Sequence, residues 1–351
     1  MKKYEKEMDL SENIYVGIDV HKKHYLVSIR TFDLELFTGS IPSDPEKLID
    51  LIDKYNNGKV KAVYEAGYSG YYLYDKLQEA GIDCIVTPPN MVPFQPNNRV
   101  KTDRLDAKKL AIYLSKNLLK KVWVPDKELR YHREILRRRK QIVGDRRRVQ
   151  TRIRSFIDLY NIKFISNSYK WSAKFREDLG KIKLEDDFLQ YNFDLLLKEY
   201  DMLDQLLKEC TQTIKELSET ERYKNNIKIL RSITGVGLLT SMEILLELGD
   251  VSRFKNSKQI ASYVGLTPSQ YSSGEHIRMG HIAKSGKSNL RSLLVEASWM
   301  LIRKDNIMQE KYEKLKYRVG VKRAIVAIAR KLLIIARIML LNKVNYNYRY
   351  N

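Results

Sequence analysis

Cysteine is nearly absent from this 351-residue chain: Cys84 and Cys210 are the only two, far apart in sequence and in no metal-binding spacing. That excludes a disulfide framework and a zinc-ribbon fold. Long apolar runs are missing as well. The N-terminal segment carries no signal-peptide apolar core. The most apolar stretch, Ala324 to Leu341, is interrupted by Arg330, Lys331 and Arg337, which makes it a poor membrane span. Negative charge is in short supply too: 43 Asp and Glu stand against 64 Lys and Arg, a formal net charge of +21. Such an excess does not fix a fold, but it points to a polyanionic partner. The absences together describe a cytoplasmic protein of a reducing compartment, without a membrane segment, suited to nucleic acid. What is present suffices to fold, since 43% hydrophobic and 30% charged residues argue against wholesale disorder. The length fits about two domains of roughly 150 residues each.

The positive charge is concentrated. Between Arg99 and Arg154 there are 20 basic and 6 acidic residues, a net of +14. The densest runs are Arg137-Arg138-Arg139-Lys140 and Arg146-Arg147-Arg148. Ile135, Ile142, Val149 and Phe156 recur every seven residues through them, which predicts a long helix with an apolar seam and arginine-rich flanks. Those seven basic residues are candidates for binding a nucleic-acid backbone, with the salt dependence that phosphate neutralisation brings. The stretch from Glu185 to Arg222 is the opposite, with 11 acidic and 4 basic residues. Leu189, Phe193, Leu196, Tyr200, Leu203, Leu207, Cys210, Ile214 and Leu217 alternate spacings of four and three, the seam of a coiled coil. Its partner is either the basic helix, folded back as a hairpin and favoured by opposite charge, or another subunit.

The first third reads as an α/β domain with a mixed sheet flanked by helices. Strands are expected at Ile14 to Asp19, Tyr25 to Arg30, Leu34 to Ile41, Lys59 to Glu65 and Asp83 to Pro88, and helices at Pro45 to Tyr55 and Tyr71 to Ala80. Two of those strands end in acids, Asp19 and Glu65, where an ionised group suits a sheet's rim and not its core. Asp103 and Asp106 lie three apart at a helix start, so both would face one way. Taken singly, Asp103 could simply cap a helix, and strands often end in Asp; four carboxylates converging on one spot, however, repel unless a cation neutralises them. Mg²⁺ with oxygen ligands is the natural answer, and a pair of such ions about 4 Å apart can activate both a nucleophile and a leaving oxygen.

The last third carries a different signal. Ile229 to Ser241 reads as helix, tight turn with Gly235 and Gly237, then helix; it resembles a helix-hairpin-helix binder of the DNA backbone, and the pattern fits an ordinary helical hairpin with a glycine turn equally well. The stretch from Gly280 to Ser288 imitates a phosphate-binding loop, but five residues separate Gly280 from Gly286 where four are required, and no clear strand precedes it, so ATP binding is rejected. What remains is Ser272-Ser273-Gly274 followed by Arg278, Lys284, Lys287 and Arg291. Most Ser-Gly pairs simply serve a turn. Nearby cations or a metal could instead activate a serine hydroxyl and stabilise the charge of a phosphodiester under attack. His21, His24, His276 and His281 read as polar contacts or surface residues, not as metal ligands.

Residues Tyr15 to Lys22, Glu65-Ala66-Gly67 and Lys101 to Ala107, in that order and spacing, resemble the DEDD motif of insertion-sequence transposases that pair a RuvC-like, RNase H-like domain with a serine-bearing C-terminal domain. Pilin-gene DNA invertases and bridge-RNA-guided recombinases belong to the same class. The resemblance covers about residues 14 to 160 and 227 to 300. It implies that Asp19, Glu65, Asp103 and Asp106 hold Mg²⁺ and that a serine forms a covalent link to DNA. Ser273 is the match and Ser272 its competitor. It also implies a homo-oligomer, a dimer or tetramer, and a structured noncoding guide RNA. The expected architecture is an RNase H-like α/β domain over 1–125, a basic helix and coiled coil over 126–226, and a mainly α-helical domain with a helix-hairpin-helix-like motif over 227–351. Two other readings share these features: a Mg²⁺-dependent junction-resolving nuclease that uses water, and a nucleic-acid-binding protein that is not an enzyme. The tail after Tyr312, with Arg323, Arg330 and Arg337 along an apolar helix, is expected to be buried helical packing, within the chain or between subunits.

Overall fold

The computed structural model describes residues 12–93, 103–163, 171–273, 276–282 and 286–347, and of residues 103, 104, 271–273, 276, 277 and 279 the backbone alone. The chain divides into two compact units, 1–125 and 126–351.

Alternating apolar residues build the first unit around a five-stranded mixed sheet. Its strands are β1 (Ile14–Val20), β2 (His24–Arg30), β3 (Glu35–Pro42), β4 (Val60–Glu65) and β5 (Asp83–Thr87), in spatial order β3-β2-β1-β4-β5. β1 pairs antiparallel with β2 and β2 antiparallel with β3, whereas β1 and β4, and β4 and β5, run parallel. The period of two sorts each strand's side chains onto two faces. Ile14, Val16 and Ile18 of β1 and Ala62 and Tyr64 of β4 share one core with Leu48 and Ile52 of α1 (Pro45–Asp53) and Leu73 and Leu77 of α2 (Tyr72–Glu79). The intervening residues face the other side, where α3 (Asp103–Ser115) lies against β1, β2 and β4. Gly17 makes that approach close. A Cβ there would stand 2.5 Å from the Ala111 amide nitrogen and nearer still to the Ala107 carbonyl oxygen.

In the second unit the basic and acidic segments form two long helices, α4 (Lys127–Leu159) and α6 (Asp187–Ser218). Each starts at an aspartate whose side chain accepts from a backbone amide, Asp126 from Leu129 at 2.7 Å and Asp186 from Leu189 at 2.8 Å, a cap worth about 1 kcal/mol. The two run antiparallel as a hairpin within the chain. Moving forward along α4, Arg139 meets Thr211, Arg146 meets Asp204, Arg152 meets Glu199 and Phe156 stacks on Phe193. Ile142, Val149, Ile153 and Phe156 pack against Phe193, Leu197, Tyr200, Leu203 and Leu207. Leu197 is buried where the seven-residue spacing expected Leu196, and Leu196 is half-buried. The reason is a third helix, α5 (Ala173–Gly180), which adds Phe175 and Leu179 to this core, with Trp171 stacked on Tyr200. A three-helix core needs a wider apolar stripe than a two-helix seam.

The rest of this unit is helical with one exception. α7 (Lys224–Arg231), α8 (Leu238–Leu248) and α9 (Ser257–Val264) lead into a hairpin of β6 (Pro268–Ser273) and β7 (His276–Ile282), followed by α10 (Ser288–Lys304), α11 (Asn306–Val319) and α12 (Val321–Asn342). The two serines therefore end a strand, and β7 runs through Gly280; the sequence suggested a turn and no clear strand there. The spacing argument against a phosphate loop is unaffected. α12 packs against α7, α9, α10 and α11 and buries Ala324, Ile325, Ile328, Leu332, Leu333, Ile335, Met339 and Leu340. Among the described residues, no helix is long and apolar enough to cross a membrane.

Candidate active site

The register of the first unit brings two of the predicted acids together. Ile18 pairs with Tyr64 across the parallel strands, so the next pair in that register is Asp19 and Glu65, at the C-terminal ends of neighbouring strands about 4.8 Å apart. Glu65 in turn pairs with Thr87 at the end of β5. All three fall on the face that α3 covers. The crevice beyond the C-terminal ends of parallel strands is a common place for ligands in open α/β sheets. Asp106 is half-buried on α3, and Asp103 begins that helix, its side chain outside the described residues. Among the described residues, no three potential metal ligands converge on one point.

Two neighbours were not singled out as functional from sequence. His21 Nε2 lies 3.0 Å from Asp19 Oδ2, and its ring stacks on His24 with centroids 4.9 Å apart. A tight connection sets this up: the His21 amide donates to the His24 carbonyl at 3.0 Å. The spacing of two residues between Asp19 and His21 was the available signal. Thr87 Oγ1 is buried and has no hydrogen-bond partner among the described residues. A buried hydroxyl left unpaired costs about 1–3 kcal/mol, and nothing in the sequence marks it.

In the second unit, Ser273 pairs with His276 and Ser272 with Ile277 at the far end of the β6–β7 hairpin; the side chains of both serines lie outside the described residues, as do Gly274 and Lys284. Arg278 and His281 on β7 are exposed. Lys287 and Arg291 turn inward: Lys287 Nζ is 2.7 Å from Glu247 Oε2, and Arg291 donates to the carbonyls of Val264 and Gly265 at 3.3 Å. Gly235 has φ of +89°, and a Cβ there would come within 2.7 Å of the Ala297 carbonyl oxygen on α10. Its requirement for glycine is thus explained by packing, whereas Gly237, at the start of α8, faces open space.

The basic helix divides its candidates into two sets. Arg137, Arg138, Lys140, Arg147 and Arg148 are exposed, while Arg139 and Arg146 are half-buried against α6. Arg139 Nε donates to Thr211 Oγ1 at 3.0 Å; burial, and then the nearby Arg146 charge, hold its guanidinium below the usual range. Arg146 pairs with Asp204, which also meets Lys208 at 3.2 Å.

Comparison with known proteins places both halves in one lineage. Residues 16–162 match a DEDD transposase family and residues 227–313 match the IS116/IS110/IS902 transposase family. The chain belongs to the IS116/IS110/IS902 family of transposases. Curated relatives agree. The putative transposase y4qE of Sinorhizobium fredii is 32% identical over 67% of this chain, and the match spans 57% of that relative's own length. The transposase for insertion sequence element IS1533 of Leptospira borgpetersenii is 28% identical over 72% of this chain and 75% of its own. The pilin gene-inverting protein of Moraxella bovis is 26% identical over 92% of this chain and 94% of its own.

Proposed function

We propose that this protein is a DNA transposase/recombinase that cleaves and rejoins strands through a phosphoserine intermediate. The observation that carries the reading is the parallel register of β1 on β4, in which Ile18 pairs with Tyr64; continued by one residue it sets Asp19 beside Glu65, on the face against which α3 packs at Gly17. From that contact, one step of two residues along β1 leads to Asp19, and one turn back along α3, from Ala107, leads to Asp103. The strand order and this placement of acids support an RNase H-like domain. Membership of the DEDD family supports divalent metal use. The donor set fits Mg²⁺ in kind, since Asp19, Glu65, Asp103 and Asp106 offer only hard oxygens. When bound, the ion would neutralise charge developing on the phosphodiester and lower the pKa of the leaving oxygen's proton.

The chain's own residues do the rest. The Ser273 hydroxyl oxygen forms a bond to phosphorus as its proton passes to a base. The bond from phosphorus to the leaving deoxyribose oxygen breaks, and that oxygen takes up a proton. Attack by the hydroxyl of another strand reverses the step and rejoins the DNA, so strand exchange needs no ATP. Asp19 is held by His21, which orients one carboxylate of the set. The exposed arginines and Lys140 of α4, with Arg278, would neutralise nucleic-acid phosphates. Through its family, the reading includes a homo-oligomer and a structured noncoding guide RNA.

The test is protein co-expressed with its flanking noncoding DNA, incubated with labelled element-end and target DNA in Mg²⁺ or EDTA, and resolved on a denaturing gel. The expected result is a Mg²⁺-dependent protein–DNA adduct, absent in Ser273→Ala and Asp19→Asn and retained in Ser272→Ala. Cleavage without an adduct that survives Ser273→Ala would replace the reading with a hydrolytic nuclease.

A further inference from the structure

The hairpin that carries Ser273 is tied down at both roots by side chains outside the catalytic set. A two-stranded hairpin is marginal on its own, so its direction is decided where it leaves the helical body. Its entry follows Gly265, the left-handed cap of α9 at φ +80°, and its exit passes Gly286 at φ +97°. The two roots touch: a Cβ on Gly286 would be 2.7 Å from the Gly265 amide nitrogen and 2.9 Å from the Tyr263 carbonyl oxygen. Arg291, on the first turn of α10, donates to the last carbonyls of the entry, Val264 and Gly265. On the exit side, Asn289 Nδ2 donates to Glu243 Oε1 at 2.6 Å, and Lys287 pairs with Glu247 at 2.7 Å. That ion pair is off the hydrogen-bond line, since the buried Glu247 Oε2 has no directed hydrogen bond.

Glu243 and Glu247 are one turn apart on α8, and the end of α8 is a hub. Arg133 of α4 is buried and donates to the Leu246 carbonyl at 2.6 Å and the Glu247 carbonyl at 3.1 Å. The Tyr263 hydroxyl of α9 donates to the same Glu247 carbonyl at 3.2 Å. Buried charged and polar contacts of this kind add little net stability compared with apolar packing. What the hydrogen bonds among them add is direction, because each is satisfied only over a narrow range of geometry.

We propose that Glu243, Glu247, Lys287, Asn289 and Arg291 are positioning residues that clamp the two roots of the β6–β7 hairpin and so aim Ser273. The role in aiming rests on the reading of Ser273 as the nucleophile; the clamp itself does not. A displacement of about 1 Å at a reacting atom is enough to slow a reaction about 100-fold.

The experiment uses the full-length protein with its co-expressed RNA. Hydrogen exchange of the amides over residues 266–282 is compared in wild type, Glu247→Lys, Asn289→Ala and the double swap Glu247→Lys/Lys287→Glu, with the α12 amides reporting whether the fold persists. Both single variants should exchange about ten-fold faster in the hairpin with α12 unchanged, and the swap should return most of the protection lost in Glu247→Lys. At saturating DNA, the adduct rate should fall about 10- to 100-fold in the single variants and recover in the swap. Wild-type hairpin exchange in both single variants, or a swap that rescues nothing, would overturn the clamp. An adduct that persists in Ser273→Ala would overturn the nucleophile and leave the exchange result to decide the clamp by itself.

Discussion

Replacing Gly17 with alanine is the sharpest probe of how α3 and β1 are placed. The added methyl would stand 2.5 Å from the Ala111 amide nitrogen, where ordinary contact begins at 3.4 Å, and closer still to the Ala107 carbonyl. Both neighbours are backbone, so no rotamer change relieves the overlap. The helix must retreat by about 1 Å, which is the scale at which overpacking costs about 1–3 kcal/mol. The same retreat moves Asp103 and Asp106 relative to Asp19, so the adduct rate should fall about 100-fold. Urea denaturation read at constant slope measures the first quantity, and single-turnover adduct formation in Mg²⁺ measures the second. Gly67→Ala is the control for stability, since its Cβ would meet only the Glu65 carbonyl at 3.9 Å; it should change stability by less than about 0.5 kcal/mol. A Gly17→Ala protein with wild-type midpoint and wild-type rate would refute the close packing of α3 on β1.

Three further outcomes are expected. Gly144 lies inside α4 with only the flexible end of Arg148 within reach of a Cβ, so Gly144→Ala should stabilise the protein by about 0.5–1 kcal/mol in thermal or urea unfolding. Burial alone would raise the Asp204 carboxyl, but hydrogen bonds from Lys208 and Arg146 hold it below the usual range. Its stabilisation is therefore present above the unfolded value of about 3.9 and lost as pH falls through the folded one. Asp204→Asn should cost up to about 1 kcal/mol at pH 7, and a denaturation series toward pH 2 should show the difference closing. Arg138→Gln/Arg147→Gln should make the salt dependence of DNA binding shallower by about 1.8 in log–log slope, whereas Arg146→Gln should leave that slope and lower stability; equal slopes for all three proteins would place the binding face elsewhere.

Much of the first unit could be read from its sequence because apolar alternation that ends in an acid has few alternatives to a strand reaching a sheet's rim. The register of β1 against β4 could not, since nothing local says that Ile18 meets Tyr64 and therefore that Asp19 meets Glu65. On α4 the signal was present and incompletely used. With Ile142 and Val149 on the seam, Arg139 and Arg146 occupy positions three residues earlier in the same heptads, which face the partner helix; that is where they meet Thr211 and Asp204. The β6–β7 hairpin left little trace, because Pro268 to Ser273 is mostly polar on both faces and no apolar alternation marks a strand. Gly235 was legible as a turn but not as a contact with α10, which lies some sixty residues further along the chain.

The central claim is that a serine of the hairpin becomes covalently joined to DNA, and peptide mapping of the trapped adduct tests it most directly. Adduct formed in Mg²⁺ is treated with nuclease and protease, and mass spectrometry locates the residual nucleotide. The account predicts a nucleotide phosphate on Ser273. The same mass on Ser272, on a tyrosine or elsewhere in the chain, or strand cleavage with unmodified peptide throughout, would contradict it.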